Sequence, residues 1–522
     1  WGDAITGKDF RKRLSLNRNP EFIVRNLYGH YYYVLINKTS GNLVAGNSLF
    51  SILPLYYYYG NDTITISNNS IILARHLNKK LTNSRFILET LLFNYPLFNH
   101  SIFEDIYLLP ANSYFCISGE TYSVRRHTET VDLFEENPLS IRQSLKFMPD
   151  IFLETVSKYL PEENYACSLT GGFDGRTLAS AGLFHKRDFS VYTFGSATSK
   201  DVIIAEMLSR VAGLRYNRIN LGIDYATRES LECGKEFILN SSGTATFSRA
   251  HYLFAAKRLA EETNYIITGN FGSEIFRSAH IAGVMISRNL YNIFSSDTPE
   301  QAVRKIESSP EYLMLDKHSF KNEWKHMIDD LRGLPCFDKK FSRHTRNQRF
   351  YLILIEEVFR KYFGAEMVSQ FRYLKNRTPF LDIDFLQVML RSKLAGLHSG
   401  FFEHNPLMRH KGQLLYALVI KKAYPDFGKI ITDKGYSPDD LLSLSGKLRV
   451  TTGYLKRKML LKTVDIDPNY VIRAWGINKD IWLYNTEMDN YLRKGNIKSN
   501  EMMFKIQSLA YLLSLCKEGT TE

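Results

Sequence analysis

Thr170-Gly-Gly-Phe-Asp174 is the stretch whose residue types bear most directly on chemistry. Gly171 and Gly172 lack a Cβ, so their backbone N–H groups can approach an anion closely. Before them, Tyr165-Ala-Cys-Ser-Leu169 reads as a short apolar strand. After them, from about Arg176, the spacing predicts a helix whose positive N-terminal end points back at the turn. A strand, a glycine turn and a helix start together form a cradle for phosphate or pyrophosphate, although an ordinary Gly-rich turn has the same local features. A second such turn, Gly269-Asn-Phe-Gly-Ser-Glu274, follows the apolar segment Tyr265–Thr268. Each turn carries a carboxylate, Asp174 in the first and Glu274 in the second, which suits a nucleotide held with Mg²⁺.

These turns need strands to carry them. Segments Phe189–Phe194, Tyr216–Leu221 and Tyr265–Thr268 read as strands, and they alternate with helical spacing over Ile141–Tyr159, Asp201–Ala212 and Ser248–Glu262. Such alternation predicts a parallel sheet with helices on both faces, with ligands bound beyond the strands' carboxyl ends. From about Ser287 the strand signal fades, and helices are expected over Glu300–Glu307, Lys321–Arg332, Arg349–Tyr362, Phe385–Lys393, Gln413–Ala423 and Ser499–Cys516. Before about residue 138 the pattern differs. Short strands at Tyr31–Ile36, Leu43–Ala45, Leu53–Tyr59, Thr63–Ser67, Ser113–Ile117 and Thr121–Arg125 are separated by Asn/Gly turns. Helical spacing there is confined to Ile71–Leu77 and Arg85–Phe93. The chain therefore divides into an α+β region over 1–138 and a region over 139–522, whose sheet core spans about 139–285 and whose later part is mainly helical.

Composition narrows the function classes. The chain has 522 residues, 44% of them hydrophobic and 13% aromatic, enough for two or three domains with sizeable cores. A formal charge of +13 spread over that length serves solubility more than nucleic-acid binding. Five scattered Cys without a CxxC pair argue against a zinc site or a disulfide framework and point to a reducing cytoplasm. Cys116 is expected to be a core thiol. No apolar run reaches the ~18 residues that span a bilayer. The chain opens on Trp1 rather than Met and is expected to be a trimmed or processed piece. Lys456–Lys462 is a basic run on an expected helix, read as a solvated face.

The motifs, taken in order, resemble a known family. Ser168-Leu-Thr-Gly-Gly-Phe-Asp-Gly175 is similar to the Ser-Gly-Gly-x-Asp-Ser pyrophosphate loop of the asparagine synthetases. Gly269–Phe276 resembles their Gly-Glu-Gly-Ala-Asp-Glu-Leu-Phe segment, and Arg377-Thr-Pro-Phe-Leu-Asp382 their Arg-Val-Pro-Phe-Leu-Asp. In the first region, Leu27-Tyr-Gly29, Ile52-Leu-Pro-Leu-Tyr-Tyr57 and Ile106-Tyr-Leu-Leu-Pro110 resemble the later part of a class II glutaminase domain. The resemblance covers about residues 20–440. It implies an Ntn-type glutaminase-like domain followed by an ATP-pyrophosphatase-type synthetase domain. It also implies an activity: ATP and Mg²⁺ activate a carboxylate as acyl-adenylate, pyrophosphate leaves, and an amine then takes the acyl group. By the same resemblance, Ser168, Thr170, Gly171, Gly172, Asp174, Gly175 and Gly269 would grip the phosphates, and Thr193, Phe194 and Gly195 would hold adenine and ribose. Asp174 and Glu274 would ligate Mg²⁺, and Lys434 and Asn270 stand at catalytic positions. Asn270, Arg277, Arg377 and Lys434 are expected to converge on the substrate.

The chain also departs from the family. Gly175 replaces a Ser, Asn270 a Glu, Ser273 an Asp, and Asn47-Ser48 an Arg-Asp pair. Asp433 holds the place of a family lysine, with Lys434 one residue later. The segment bearing the family's N-terminal Cys nucleophile has no counterpart before Leu27, so glutamine hydrolysis by that route is not expected of this chain. Relatives without it, β-lactam synthetases and lasso-peptide cyclases, join a carboxylate and an amine within one substrate. Other readings stay open: a glutamine-hydrolysing asparagine synthetase with a trimmed N-terminus, and a non-catalytic ATP-binding or scaffold homologue. A tRNA-modifying adenylating enzyme suits the charge but not the first region. The substrates expected are a small-molecule or peptide carboxylate and an amine donor, with no membrane or nucleic-acid partner. A homodimer is left open.

Overall fold

A computed structural model describes residues 1–7, 10–16, 19–60, 62–119, 121–134, 137–276, 286–403, 411–446, 448–452, 486–493 and 500–518. Arg277 and the basic run Lys456–Lys462 therefore lie outside the described residues.

The first region is two antiparallel sheets. One has the order β1 (Gly2–Thr6), β2 (Leu27–Ile36), β3 (Leu43–Asn47), β7 (Ser113–Ser118), β8 (Thr121–Arg126). The other has the order β5 (Thr63–Ser67), β4 (Tyr56–Gly60), β6 (Ile106–Leu108). β-branched and aromatic residues at period two give most of these strands an apolar face. The faces meet through Leu55, Leu109 and Phe115, with Tyr57 edge-on to Phe115 at 4.9 Å. Tyr56–Tyr59 thus form a half-buried strand. Strand β1 has no apolar alternation, which is why it escaped the sequence reading. Cys116 is partly exposed rather than fully buried.

The second region holds a five-stranded parallel sheet of order β11 (Arg215–Ile219), β10 (Ser190–Phe194), β9 (Ala166–Ser168), β12 (Tyr265–Ile267), β13 (Lys375–Arg377). Successive residues of its central strands enter opposite cores. Ala166, Tyr192 and Ile266 pack with Phe237, Leu253 and Phe254 on one face. Cys167, Val191 and Ile267 pack with Leu178 and Ile204 on the other. Both faces are covered, as parallel sheets require. In sequence order the strands run 3-2-1-4-5, so the direction of winding reverses between β9 and β12. That crevice is where open parallel sheets bind ligands.

The part after about residue 286 is mainly helical, and two of the expected helices across the second region differ from the sequence reading. The expected helix over Ile141–Tyr159 is split into Ile141–Ser144 and Met148–Tyr159, because Pro149 can sit only in the first turn of the second. The helix expected over Arg349–Tyr362 becomes an α-helix over Arg346–Ile353 and then a π-helix over Leu354–Phe363. This π-helix fastens the two regions together. The Arg360 guanidinium donates to the Leu109 carbonyl at 2.6 Å. Buried Lys361 donates to the Phe98 carbonyl at 2.6 Å and the Pro96 carbonyl at 3.1 Å. Among the described residues, no helix is long and apolar enough to cross a membrane.

Candidate functional site

The helix after β9 runs Asp174–Phe184 and starts two residues earlier than the sequence suggested. Asp174 in its first turn complements the helix dipole. Two glycines let this start sit deep. A Cβ at Gly175 would collide with the Ser168 carbonyl, and a Cβ at Gly269 would lie 2.8 Å from the Asp174 Cβ. The second value fixes how closely the two Gly-rich loops approach. It also brings the Ser273 hydroxyl to Asp174, where it donates to Oδ2 at 2.6 Å. Ser273 of the second loop is thus a hydrogen-bond donor to the carboxylate of the first.

Beyond this junction lies a cavity of about 290 Å³ at the carboxyl edge of the sheet. The loops contribute Thr170, Gly172, Phe173, Asp174 and Ser273 to its wall. Helix Lys411–Ala423 contributes Gly412, Gln413 and Tyr416. The remaining side is formed by Asp201 and by Asp433-Lys434. Lys434 is the one cationic side chain among the described lining residues, and its ammonium lies 5.6 Å from the Phe173 ring centre. The segment carrying it hangs on a fully buried arginine. Arg176 donates to the carbonyls of Ile430 (2.6 Å), Phe427 (3.1 Å), Ile431 (3.1 Å) and Gly171 (3.5 Å). The Asp433 N–H adds a bond to the Gly171 carbonyl at 3.2 Å. Burial pulls the Arg176 guanidinium down to about 10, while Asp433 opposes that shift. Nothing in the sequence marked Arg176 as buried, since an Arg in an early helical turn usually faces water.

The remaining site residues fall as follows. The Gly171 N–H donates to Asp201 Oδ1 at 2.9 Å. The Gly172 N–H donates to Thr170 Oγ1 at 3.2 Å. Ser168 pairs with the Tyr192 phenol instead of reaching the cavity wall. Thr193 is buried, its hydroxyl donating to the Leu169 carbonyl. Phe194 lies edge-on to His251 at 5.1 Å and to Tyr252 at 5.3 Å, so an aromatic cluster caps β10. The Gly195 N–H pairs with the Ile219 carbonyl at 3.1 Å.

The second loop reaches the cavity through Ser273 rather than through its two expected polar residues. The Asn270 carbonyl accepts from the Thr378 hydroxyl at 2.7 Å, and Asn270 is not on the cavity wall. Glu274 places its charge beside Tyr252, and its carbonyl accepts from Tyr351 at 3.1 Å. Asp174 and Glu274 are thus not brought onto one wall, and no group of three His, Cys, Asp or Glu among the described residues could hold a metal ion. Arg377 does not converge on the cavity. It pairs with Asp3 at 2.6 Å, donates to the Tyr159 carbonyl at 3.1 Å, and lies over the Tyr265 ring.

No protein-family model matches this chain, and a search of the curated proteins returns no match. The functional reading therefore rests on motif order and on the geometry of this cavity. A helix N-terminus, a lysine and a carboxylate set in a crevice between two Gly-rich loops can bind a phosphate chain and polarise it.

Proposed function

We propose that the chain is an ATP-dependent, amide-forming ligase of asparagine synthetase type, with a glutaminase-like first region. The observation that carries this reading is the position of the two Gly-rich loops. They flank the winding reversal between β9 and β12, and their Asp174 and Ser273 side chains meet at 2.6 Å on the wall of one cavity. In this reading the helix start at Asp174 and the Lys434 ammonium face the triphosphate. Asp174 in this reading would hold Mg²⁺ together with the phosphate oxygens, and the ion would supply charge neutralisation on the phosphates. A substrate carboxylate oxygen attacks the α-phosphorus and pyrophosphate leaves. An amine then attacks the acyl carbon and AMP leaves. Lys434 stabilises the charge that develops in the first step, an effect worth ~10²–10³ in rate for one well-placed donor.

The test is pyrophosphate release from ATP over a panel of carboxylates and amines. The parent protein is expected to release pyrophosphate with at least one substrate, and Asp174→Ala is expected to lose that activity. Absence of substrate-dependent release from the parent rejects the ligase. A second reading, a homologue that binds the nucleotide without catalysis, is favoured by Asp433 standing at the family's lysine position. Calorimetric binding of ATP·Mg²⁺ without any turnover selects it.

A further inference from the structure

We propose that Asp201 is a built-in competitor for the phosphate cradle, an anionic side chain that occupies the Gly171 amide until a phosphate ligand displaces it. This rests on the reading of the cavity as a phosphate site. Gly171 was expected to offer its N–H to a ligand, but that N–H donates to Asp201 Oδ1 at 2.9 Å. The contact is close enough that a Cβ on Gly171 would lie 3.1 Å from the same oxygen. Asp201 comes from a different element, the first turn of the helix Lys200–Ala212, and it also lines the cavity. A carboxylate oxygen on a backbone N–H of a Gly-rich turn makes the same kind of hydrogen bond as a phosphate oxygen.

Asp201 is not needed to hold the turn in shape. The Gly171 carbonyl is already tied to the Asp433 N–H at 3.2 Å and to Arg176 at 3.5 Å. Gly175 and Gly269 fix the next residues by direct backbone packing. Asp201 can also leave. More than a third of its surface faces solvent even though its carboxyl head packs against the loop, so a rotation about its side-chain bonds takes it into water. Its setting further disfavours a resident anion. Withdrawal of the carboxyl from water and the neighbouring Asp433 both raise its pKa, while Gly171 and Lys434 oppose them. A carboxylate held beside another carboxylate at the mouth of an anion cradle adds repulsion to any incoming phosphate.

A strut and a competitor predict opposite orders of affinity. The experiment is equilibrium binding of inorganic pyrophosphate, without divalent cation, to the full chain, to Asp201→Asn and to Asp201→Ala. Asn keeps an oxygen for the Gly171 N–H and removes the charge, whereas Ala frees the N–H as well. Thermal unfolding of all three checks that each is folded, and the Asn variant keeps the test valid if Ala alters the loop. The expected result is tighter binding in both variants, by about fivefold or more for removal of one nearby like charge, with Ala at least as tight as Asn. Binding detectable only in the variants also supports the proposal. Weaker or unchanged binding in the folded variants overturns it and leaves the phosphate site standing. No binding in any of the three overturns both the proposal and the phosphate reading.

Discussion

Asn112 in the first region and Asp174 in the second are both polar side chains at a turn, and the structure employs them differently. Asn112 Oδ1 accepts the Phe50 N–H at 2.7 Å, and its amide donates to the Thr130 hydroxyl at 3.0 Å. Its backbone N–H donates to the Ser51 hydroxyl at 3.2 Å, and Ser51 in turn bonds Asn47 at 3.0 Å. This buried network holds Phe50 and Ser51 in the left-handed backbone region, at φ of 67° and 50°. Non-glycine residues stay there only when their surroundings over-determine them. Asn47 and Ser48 are both buried, and Asn47 spends its amide on the Leu53 carbonyl at 2.8 Å. Around the parallel sheet, by contrast, Asp174, Asp201, Asp433 and Lys434 end on a cavity. The first region spends its polar groups on its own backbone, whereas the second leaves charged groups facing a space that a ligand can fill.

The largest effects should separate the two uses. Asp174→Asn is expected to lower ATP-dependent pyrophosphate release ~10²–10³-fold, as loss of a transition-state contact does, with little change in unfolding free energy. Asn112→Ala is expected to cost about 2–3 kcal/mol of stability by leaving buried partners unpaired, with activity per folded molecule unchanged. Urea unfolding alongside the release assay reads both quantities. A strong rate loss in folded Asn112→Ala would erase the distinction.

Arg176 is where the second region resembles the first, because it is a buried polar group that bonds only backbone carbonyls. Arg176→Met is expected to destabilise the protein by about 3 kcal/mol, since four carbonyls lose a shared donor. It should also raise the KM for ATP, because the segment bearing Lys434 loses its anchor. An unchanged KM in protein that remains folded would show that the Asp433–Gly171 bond alone positions Lys434.

Acid should act first on the antiparallel sheets. His30 and His127 are buried there, and burial pushes each imidazole from 6.5 down to about 4. Between those values the unfolded chain binds protons that the folded chain refuses. Stability from these histidines is therefore complete above 6.5 and is lost as pH falls towards 4. Each should contribute about 2 kcal/mol to the loss between pH 7 and pH 5. Replacing His127 by Phe is expected to flatten the fall by that amount in urea unfolding at the two pH values. A slope equal to the parent's would place the acid sensitivity elsewhere, with buried His251 beside the parallel sheet as the next group to replace.

Much of this was legible in the sequence where local pattern and tertiary demand agree. Strands β9, β10 and β12 carry apolar runs because both faces are buried, and the Gly-rich turns mark where loops meet. Strand β13 was not legible. Lys375-Asn-Arg377 has no apolar residue, yet it pairs with Tyr265–Ile267 because Thr268 bonds the buried Asn376 at 2.7 Å and Arg377 finds Asp3. The convergence assigned to Arg377 failed for that same reason: a partner 374 residues away claims it. Asp201 and Arg176 escaped notice because each acts through backbone atoms of a distant loop, and no sequence spacing encodes such a contact. The motif positions led to one cavity at the sheet's carboxyl edge, while the charges beside it come from residues that no motif marks.

The smallest effect concerns the hydroxyl that joins the two loops. Ser273 donates to Asp174 Oδ2 at 2.6 Å, a short bond from a neutral donor to a charged acceptor. Its removal leaves Asp174 on the cavity wall and takes away only this orientation, so Ser273→Ala should weaken ATP·Mg²⁺ binding or slow pyrophosphate release by about three- to tenfold. Unfolding free energy should change by less than about 1 kcal/mol, because the bond borders an open cavity where water can replace the donor. Ser273→Asp asks the sharper question. It places a second carboxylate beside Asp174, so without Mg²⁺ the two charges repel and stability should fall. With Mg²⁺ that loss should reverse. A Ser273→Asp variant indifferent to Mg²⁺ would mean that the loops are joined for architecture, as Asn112 joins its own, and that the cavity's carboxylates do not serve a cation.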